Sequence, residues 1–169
     1  MAAPVLTTAP RGSHFANQAA AAQAIDMVLP SIEAAMNVPR CGDSGCLHIV
    51  VMDPARAPGS CKFEEAILCE RSIGNPDQWD ADYAGFARAK ARLSWQHGID
   101  SHTVQTCRPQ LLQHGDVSLW GSVSLDGIVV AMSGFHPWYD EAFSCAIAAC
   151  LKALARDARD RGDHGLFLG

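Results

Sequence analysis

Residues 120–154 read WGSVSLDGIVVAMSGFHPWYDEAFSCAIAACLKAL, and their changing period decides the fold. Asp126-Gly127 tolerates the positive φ of a two-residue hairpin turn. Val129, Val130 and Met132 suit a pleated, half-buried strand on its far side. Ser133-Gly134 then breaks the pattern. Beyond it Phe143, Ile147, Leu151 and Leu154 recur at helical spacing, so one stripe of a helix faces a core. The junction between the two periods carries Ser133, His136, Trp138, Tyr139, Asp140 and Glu141. A chemical site is expected at this corner.

Working outward, the same reading gives further elements. Phe15 to about Met36 is an Ala-rich helix with Ile25, Leu29, Ile32 and Met36 at helical steps; Pro30 inside it predicts a kink or two short helices. LHIVVM at 47–52 is a buried strand. Phe63 to Cys69 is a second strand. Asp77 is expected to cap a helix over about Gln78–Gln96. On that helix Tyr83, Phe86, Ala87, Lys90, Leu93 and Ser94 share a face, and Lys90 there either snorkels out or points at a partner. Residues 98–115 form an irregular connection, and the chain from Arg156 on is a polar tail ending in Leu166-Phe167-Leu168, an apolar end expected to dock on another subunit. The order α, β, β, α, β, β, α predicts an α+β domain, a central antiparallel sheet flanked by helices. Residues 1–14 are expected to be a flexible N-terminal arm and 15–169 a single domain.

Composition limits the function. The chain has 169 residues, 49% hydrophobic and 18% charged, with a net charge of −5. No basic stripe exists, so nucleic acid is not expected as a partner. No apolar run spans a membrane and no secretory signal opens the chain, so a cytoplasmic location is expected. Seven cysteines without CxxC spacing read as packing residues in a reducing compartment. His97, His102 and His114, with Asp100 or Asp116, match no zinc spacing, and no metal site is expected.

Three segments resemble the GlcG/HbpS-like proteins, often labelled a haem-degrading domain. They are IVVMDPARAPGSCKFEEAILCERS (49–72), FARAKARLSW (86–95) and GSVSLDGIVVAMSGFHPWYDEAFSCA (121–146). The resemblance implies a profilin-like fold and a homo-oligomer over roughly residues 16–155. The chain departs from that family at Gly121-Ser122-Val123-Ser124, where a Gly-Gly-x-Pro entry is usual. It departs again at Phe135, His136, Trp138 and Tyr139, where small residues are frequent.

The candidate catalytic residues are His136, Asp140 and Glu141, because neighbouring carboxylates beside aromatic surface acquire the raised pKa that proton transfer needs. Arg71 and Lys90, with the backbone N–H groups released at Ser133-Gly134, are candidates to hold a small anionic molecule, and Trp138 to contact it. The favoured expectation is a cofactor-independent catabolic enzyme acting on a small organic acid by hydrolysis, deamination or proton transfer. The alternatives are a haem- or iron-binding protein and a non-catalytic small-molecule sensor.

Overall fold

The computed structural model describes residues 12–162 and 164–168. The arm expected over 1–14 lies outside the described residues as far as residue 11. Gly12, just after it, donates its N–H to the Asp53 carboxylate (3.1 Å).

The fold is α+β. Four strands form one antiparallel sheet in the order β2-β1-β4-β3: β1 Leu47–Met52, β2 Ile67–Ile73, β3 Ser122–Leu125 and β4 Ile128–Ser133. The helices α1 (Gln18–Met36) and α4 (Pro137–Arg161) cover one face, and α2 (Tyr83–His97) covers the other. A short α3 (Ser101–Cys107) leads from α2 towards β3.

Strand alternation explains the two cores. Leu47, Ile49, Val51, Val130 and Met132 point towards α1 and α4, where they meet Ile25, Ile32, Ile147 and Leu151. Val50, Met52, Val129 and Ala131 point the other way, onto Ala87 and Ala91 of α2. Every residue of β1 and β4 is buried, because both are central strands covered on both faces. Small Ala87 and Ala91 let α2 lie close on the sheet. That closeness brings Lys90, one turn along, to the end of β4.

The hairpin forms as its sequence dictates, with Asp126 and Gly127 at φ 50° and 84°. Other elements differ from expectation for local reasons. Helix α1 passes through Pro30 unbroken. The missing donor frees only the carbonyl of exposed Asp26, which water can satisfy. Residues Glu64–Ala66 form a 3₁₀ turn, and β2 starts at Ile67. The polar residues that follow are tolerated because β2 is an edge strand. Helix α2 starts five residues later than expected. Asp82 caps it by accepting the Gly85 N–H (2.8 Å), and Pro76–Gln78 is a separate 3₁₀ turn. Part of the expected irregular connection is α3, anchored by buried Ser101 and Val104. Helix α4 continues past Leu154 to Arg161 on exposed polar residues.

Gly134 fixes the corner between β4 and α4. Its φ is 148°, and a Cβ there would lie 2.4 Å from both the Cys46 carbonyl oxygen and the Leu47 Cβ. Gly134→Ala should therefore destabilise the protein by about 3 kcal/mol or more, combining backbone strain with a clash against backbone. Gly127→Ala, with φ 84° and open space around it, should cost only about 1 kcal/mol. Urea denaturation of both variants measures the difference; equal losses would mean the corner is not tightly packed.

Candidate functional site

The end of β4 and the start of α4 line a half-open cavity of about 240 Å³. Ser133, His136 and Phe135 come from the corner itself, Lys90, Tyr83 and Phe86 from α2, Leu119 from the approach to β3, and Asp43 and Ser44 from the loop before β1. That loop is tied to the corner. The His136 N–H donates to the Cys41 carbonyl (2.9 Å), and the Ser44 hydroxyl donates to the Gly134 carbonyl (2.8 Å).

Behind the cavity lies a buried ion pair. Lys90 is only 2% exposed and Asp140 is fully buried. The Lys90 ammonium donates to Asp140 Oδ2 (2.8 Å), the Met132 carbonyl (3.1 Å) and Ser133 Oγ (3.3 Å). Its three protons thus have three acceptors. Asp140 Oδ1 accepts the Phe135 N–H (3.0 Å), and the Gly134 N–H also stabilises the carboxylate. Burial pushes the Asp140 carboxyl up to about 6, against the pull of Lys90 and of these two backbone groups.

Gly121 makes room for the pair. A Cβ there would sit 2.6 Å from the Asp140 Cβ and 3.3 Å from the Lys90 Nζ, at φ 139°. Buried serines hold Gly121 in place. Ser101 Oγ accepts the N–H groups of Gly121 and Ser122 (3.1 and 3.0 Å). Ser144 Oγ donates to the Gly121 carbonyl (2.9 Å), and Ser122 Oγ donates to the Lys90 carbonyl (2.7 Å).

This geometry sorts the expected residues. Lys90, Ser133, Gly134 and His136 meet at the cavity. Asp140 stands directly behind it, fully buried and outside its lining. The backbone donors expected to grip an anionic ligand are occupied by the protein's own Asp140. Arg71 is not brought to the site. It opposes Ile49 in the sheet register, on the α1 and α4 side, and pairs with Asp26 of α1. Trp138 is 56% exposed and stacks on the His136 ring (centroids 5.1 Å apart).

Glu141 turns away from the cavity, towards His102. Its Oε2 lies 3.7 Å from His102 Nδ1 and makes no hydrogen bond. Burial raises its pKa, against the pull of His102. The His102 ring stacks on Trp120 (4.2 Å), so this histidine belongs to a separate cluster at the start of α3.

Sequence reading missed four cavity walls: Asp43, Ser44, Leu119 and the Tyr83–Phe86 turn. Tyr83 and Phe86 share a helix face with Ala87 and Lys90 in the sequence pattern, but Phe86 is 37% exposed at the cavity rim. Their place at the first turn of α2, beyond the edge of the sheet's cover, is the signal that separates them from Ala87 and Ala91.

The fold and site together define an α+β domain with a cavity of small-molecule size at a strand-to-helix corner. No family model, curated protein or solved structure matches the chain.

Lys90→Met leaves the Asp140 charge buried and unpaired and should cost about 3–5 kcal/mol at neutral pH. Adding Asp140→Asn removes that charge, so the double variant should be more stable than Lys90→Met alone. Urea denaturation of the single and double variants tests this, and simple addition of the two losses would refute the coupling.

The pH dependence has a definite sign. With a folded pKa near 6, against an ordinary value of 3.8, the native state binds more protons at Asp140 than the unfolded chain does between those values. Stability contributed at Asp140 is therefore lost as the pH rises from about 4 to 6. The stability of the wild type relative to Asp140→Asn should fall over that window, by about 3 kcal/mol, and level off above pH 7. Denaturation midpoints of both proteins across that range provide the measurement; a difference that grows with pH contradicts it.

Proposed function

We propose that this chain is a cofactor-independent, cytoplasmic catabolic enzyme that performs proton-transfer chemistry on a small organic acid in a GlcG/HbpS-like pocket. The observation that carries this reading is the pairing, in one cavity of about 240 Å³, of an accessible imidazole at His136 with the Ser133 hydroxyl. Ser133 Oγ accepts a hydrogen bond from the Lys90 ammonium (3.3 Å), so its own O–H is free to donate to a ligand. A hydroxyl backed by an ammonium is a stronger donor than a hydroxyl alone.

The roles follow from that arrangement. His136 takes a proton from the carbon beside the acid's carbonyl group. Ser133 donates a hydrogen bond to the carbonyl oxygen as it gains negative charge, the kind of aimed donor that lowers such barriers. Return of the proton from His136 to a neighbouring carbon or oxygen completes a tautomerisation, with no net gain or loss of protons. Phe86, Leu119, Phe135 and Pro137 supply apolar walls against the carbon skeleton. Lys90 and Asp140 hold Ser133 in place and do not touch the substrate.

The cavity's size favours this reading over haem binding. Sites for drug-sized ligands occupy about 300–1,000 Å³, and a porphyrin is larger than most such ligands. A few-carbon acid fits the observed volume without rearrangement.

The test is solvent exchange followed by proton NMR in D₂O, with pyruvate, oxaloacetate and acetoacetate as probes. The wild type should accelerate exchange at the carbon beside the carbonyl for at least one of them. His136→Ala should fold normally and lose about 10²-fold or more, and Ser133→Ala should lose a comparable factor. No exchange with any probe, full activity in His136→Ala, or a saturable Soret shift at stoichiometric hemin would overturn the proposal.

A further inference from the structure

The β2 edge of the sheet carries three polar side chains that the cavity does not use. His48 on β1 faces Ser72 on β2 in the antiparallel register. Glu70 lies two residues along β2, on the same face as Ser72. The His48 ring meets both: its Nδ1 lies 2.9 Å from Ser72 Oγ, and its Nε2 lies 3.2 Å from Glu70 Oε1. Arg88 of α2 grips the same carboxylate twice, from Nε to Oε1 (2.7 Å) and from a terminal nitrogen to Oε2 (3.0 Å).

Chemistry fixes which way the protons run. Burial pushes the Glu70 carboxyl up, but hydrogen bonds from Arg88 and His48 outweigh it and hold the group below its ordinary range. It is a carboxylate and only accepts. Burial holds the His48 pKa below its ordinary value, against the pull of Glu70, so the ring is neutral at pH 7 and carries one N–H. Glu70 requires that N–H at Nε2. Nδ1 is therefore a bare lone pair, and the hydrogen on the 2.9 Å contact belongs to Ser72.

His48 is buried, whereas Ser72 is exposed. An accessible hydroxyl thus donates to a buried base, which a carboxylate orients and a guanidinium anchors in turn. This is how a weak oxygen nucleophile is activated. Ser60 gives the contrast. It is also exposed, but its hydroxyl donates to the Ala57 carbonyl (2.6 Å), which cannot take its proton.

There is room for a substrate. A half-open hollow of about 360 Å³ between β2 and α2 is lined by Glu64, Ile67, Glu70 and Arg88. It starts two residues along the strand from Ser72, at about 7 Å. Among the described residues no strand lies beyond β2, so its outward backbone N–H groups are open to a developing oxyanion. His48 is not in the lining of the cavity at the β4–α4 corner. Trp79 packs against both His48 (6.1 Å) and Tyr83 (5.6 Å), which is in that lining.

We propose that Ser72, His48 and Glu70 form a second reactive site, which hydrolyses small esters through an acyl-Ser72 intermediate. Ser72 Oγ bonds to the ester carbonyl carbon as its proton passes to His48 Nδ1. The carbonyl re-forms, and the alkoxy group leaves with that proton as an alcohol. Water then adds to the acyl carbon and gives one proton to His48. The bond from that carbon to Oγ breaks, Ser72 recovers the proton, and a carboxylic acid departs. Glu70 and Arg88 are positioning residues and do not touch the ester. The site is independent of the reaction assigned to the cavity.

The probe is 4-nitrophenyl acetate. Peptide mass spectrometry of the wild type should find an acetyl group on Ser72 and none on Ser60. Nitrophenolate release should continue past one equivalent per chain, and Ser72→Ala, an exposed change that leaves the fold intact, should abolish that excess. His48→Gln should slow acetylation of Ser72 by about 10²-fold or more. Glu70→Gln keeps the shape at position 70. Arg88 retains the amide oxygen, so the NH₂ group turns to Nε2 and drives the imidazole proton to Nδ1. Acetylation should again slow by about 10²-fold or more. In ¹⁵N NMR the protonated ring nitrogen of His48 should change from Nε2 to Nδ1, with circular dichroism unchanged. An unmodified Ser72 in the wild type, including acetylation of Ser133 alone, overturns the proposal. So does Ser60 reacting as fast as Ser72, release that stops at one equivalent, an unchanged rate in Glu70→Gln, or an Nδ1–H in the wild type.

Discussion

The ion pair between Lys90 and Asp140 sets the geometry of everything around it. Lys90 stands on α2, on one face of the sheet, and Asp140 on α4, which packs on the other. Their contact passes round the end of β4 and clips the two layers together at one point. Burying two charges is costly, and an apolar pair of similar volume would often be as stable. The pair supplies position instead. An ammonium with three fixed acceptors and a carboxylate with fixed donors permit one register of α2 against the corner, where an apolar contact would tolerate sliding. Gly121 and Gly134 make the same point in steric form, since backbone and side chains already occupy the space a methyl group would need at either position.

This arrangement changes what the corner can do. A glycine turn before a helix would ordinarily offer N–H groups to an outside anion. Here Asp140 already occupies those donors, and Lys90 neutralises it. The cavity in front therefore has little local positive charge to attract a ligand. What reaches it is the Ser133 hydroxyl, pinned from behind, with the Ser44 and Tyr83 side chains and an imidazole towards the mouth.

Much of the fold was legible because its signals are local. The Asp126-Gly127 hairpin, the apolar run of β1 and the stripe of Ile147 and Leu151 each follow from period and turn chemistry. The boundaries that moved involve competition between neighbouring signals. Asp77 and Asp82 both qualify as caps, and the second wins because Pro76–Gln78 closes its own 3₁₀ turn. The site was half legible. Lys90 was conspicuous as a charge on an apolar stripe, and Asp140 as an acid at a helix start. That each answers the other depends on fifty residues of intervening chain folding back, which no local pattern encodes. Arg71 failed for the complementary reason: strand alternation sends it to the α1 side, and the position of β2 relative to Ser133 is a matter of register.

The two walls of the cavity are built differently, and this bears on how such a site diversifies. The rear wall is a network of buried hydrogen bonds: Ser101 and Ser144 on Gly121, Ser122 on the Lys90 carbonyl, Ser94 on Ser122 (2.7 Å). Each bond there shares an atom or a residue with another, so a change at one unsettles the rest, and unmade buried bonds cost about 1–3 kcal/mol apiece. The front wall is made of the loop at 41–46 and the turn leading into Tyr83, joined to the corner by few bonds and bearing exposed side chains. Substitution at Asp43, Phe86 or Leu119 alters the mouth without touching the network. The protein thus separates the part that must stay fixed, the placing of Ser133, from the part that can vary with the ligand. A cavity organised in this way can vary at its mouth while Ser133 keeps its place, because Ser133 and the residues of the mouth stand on different walls.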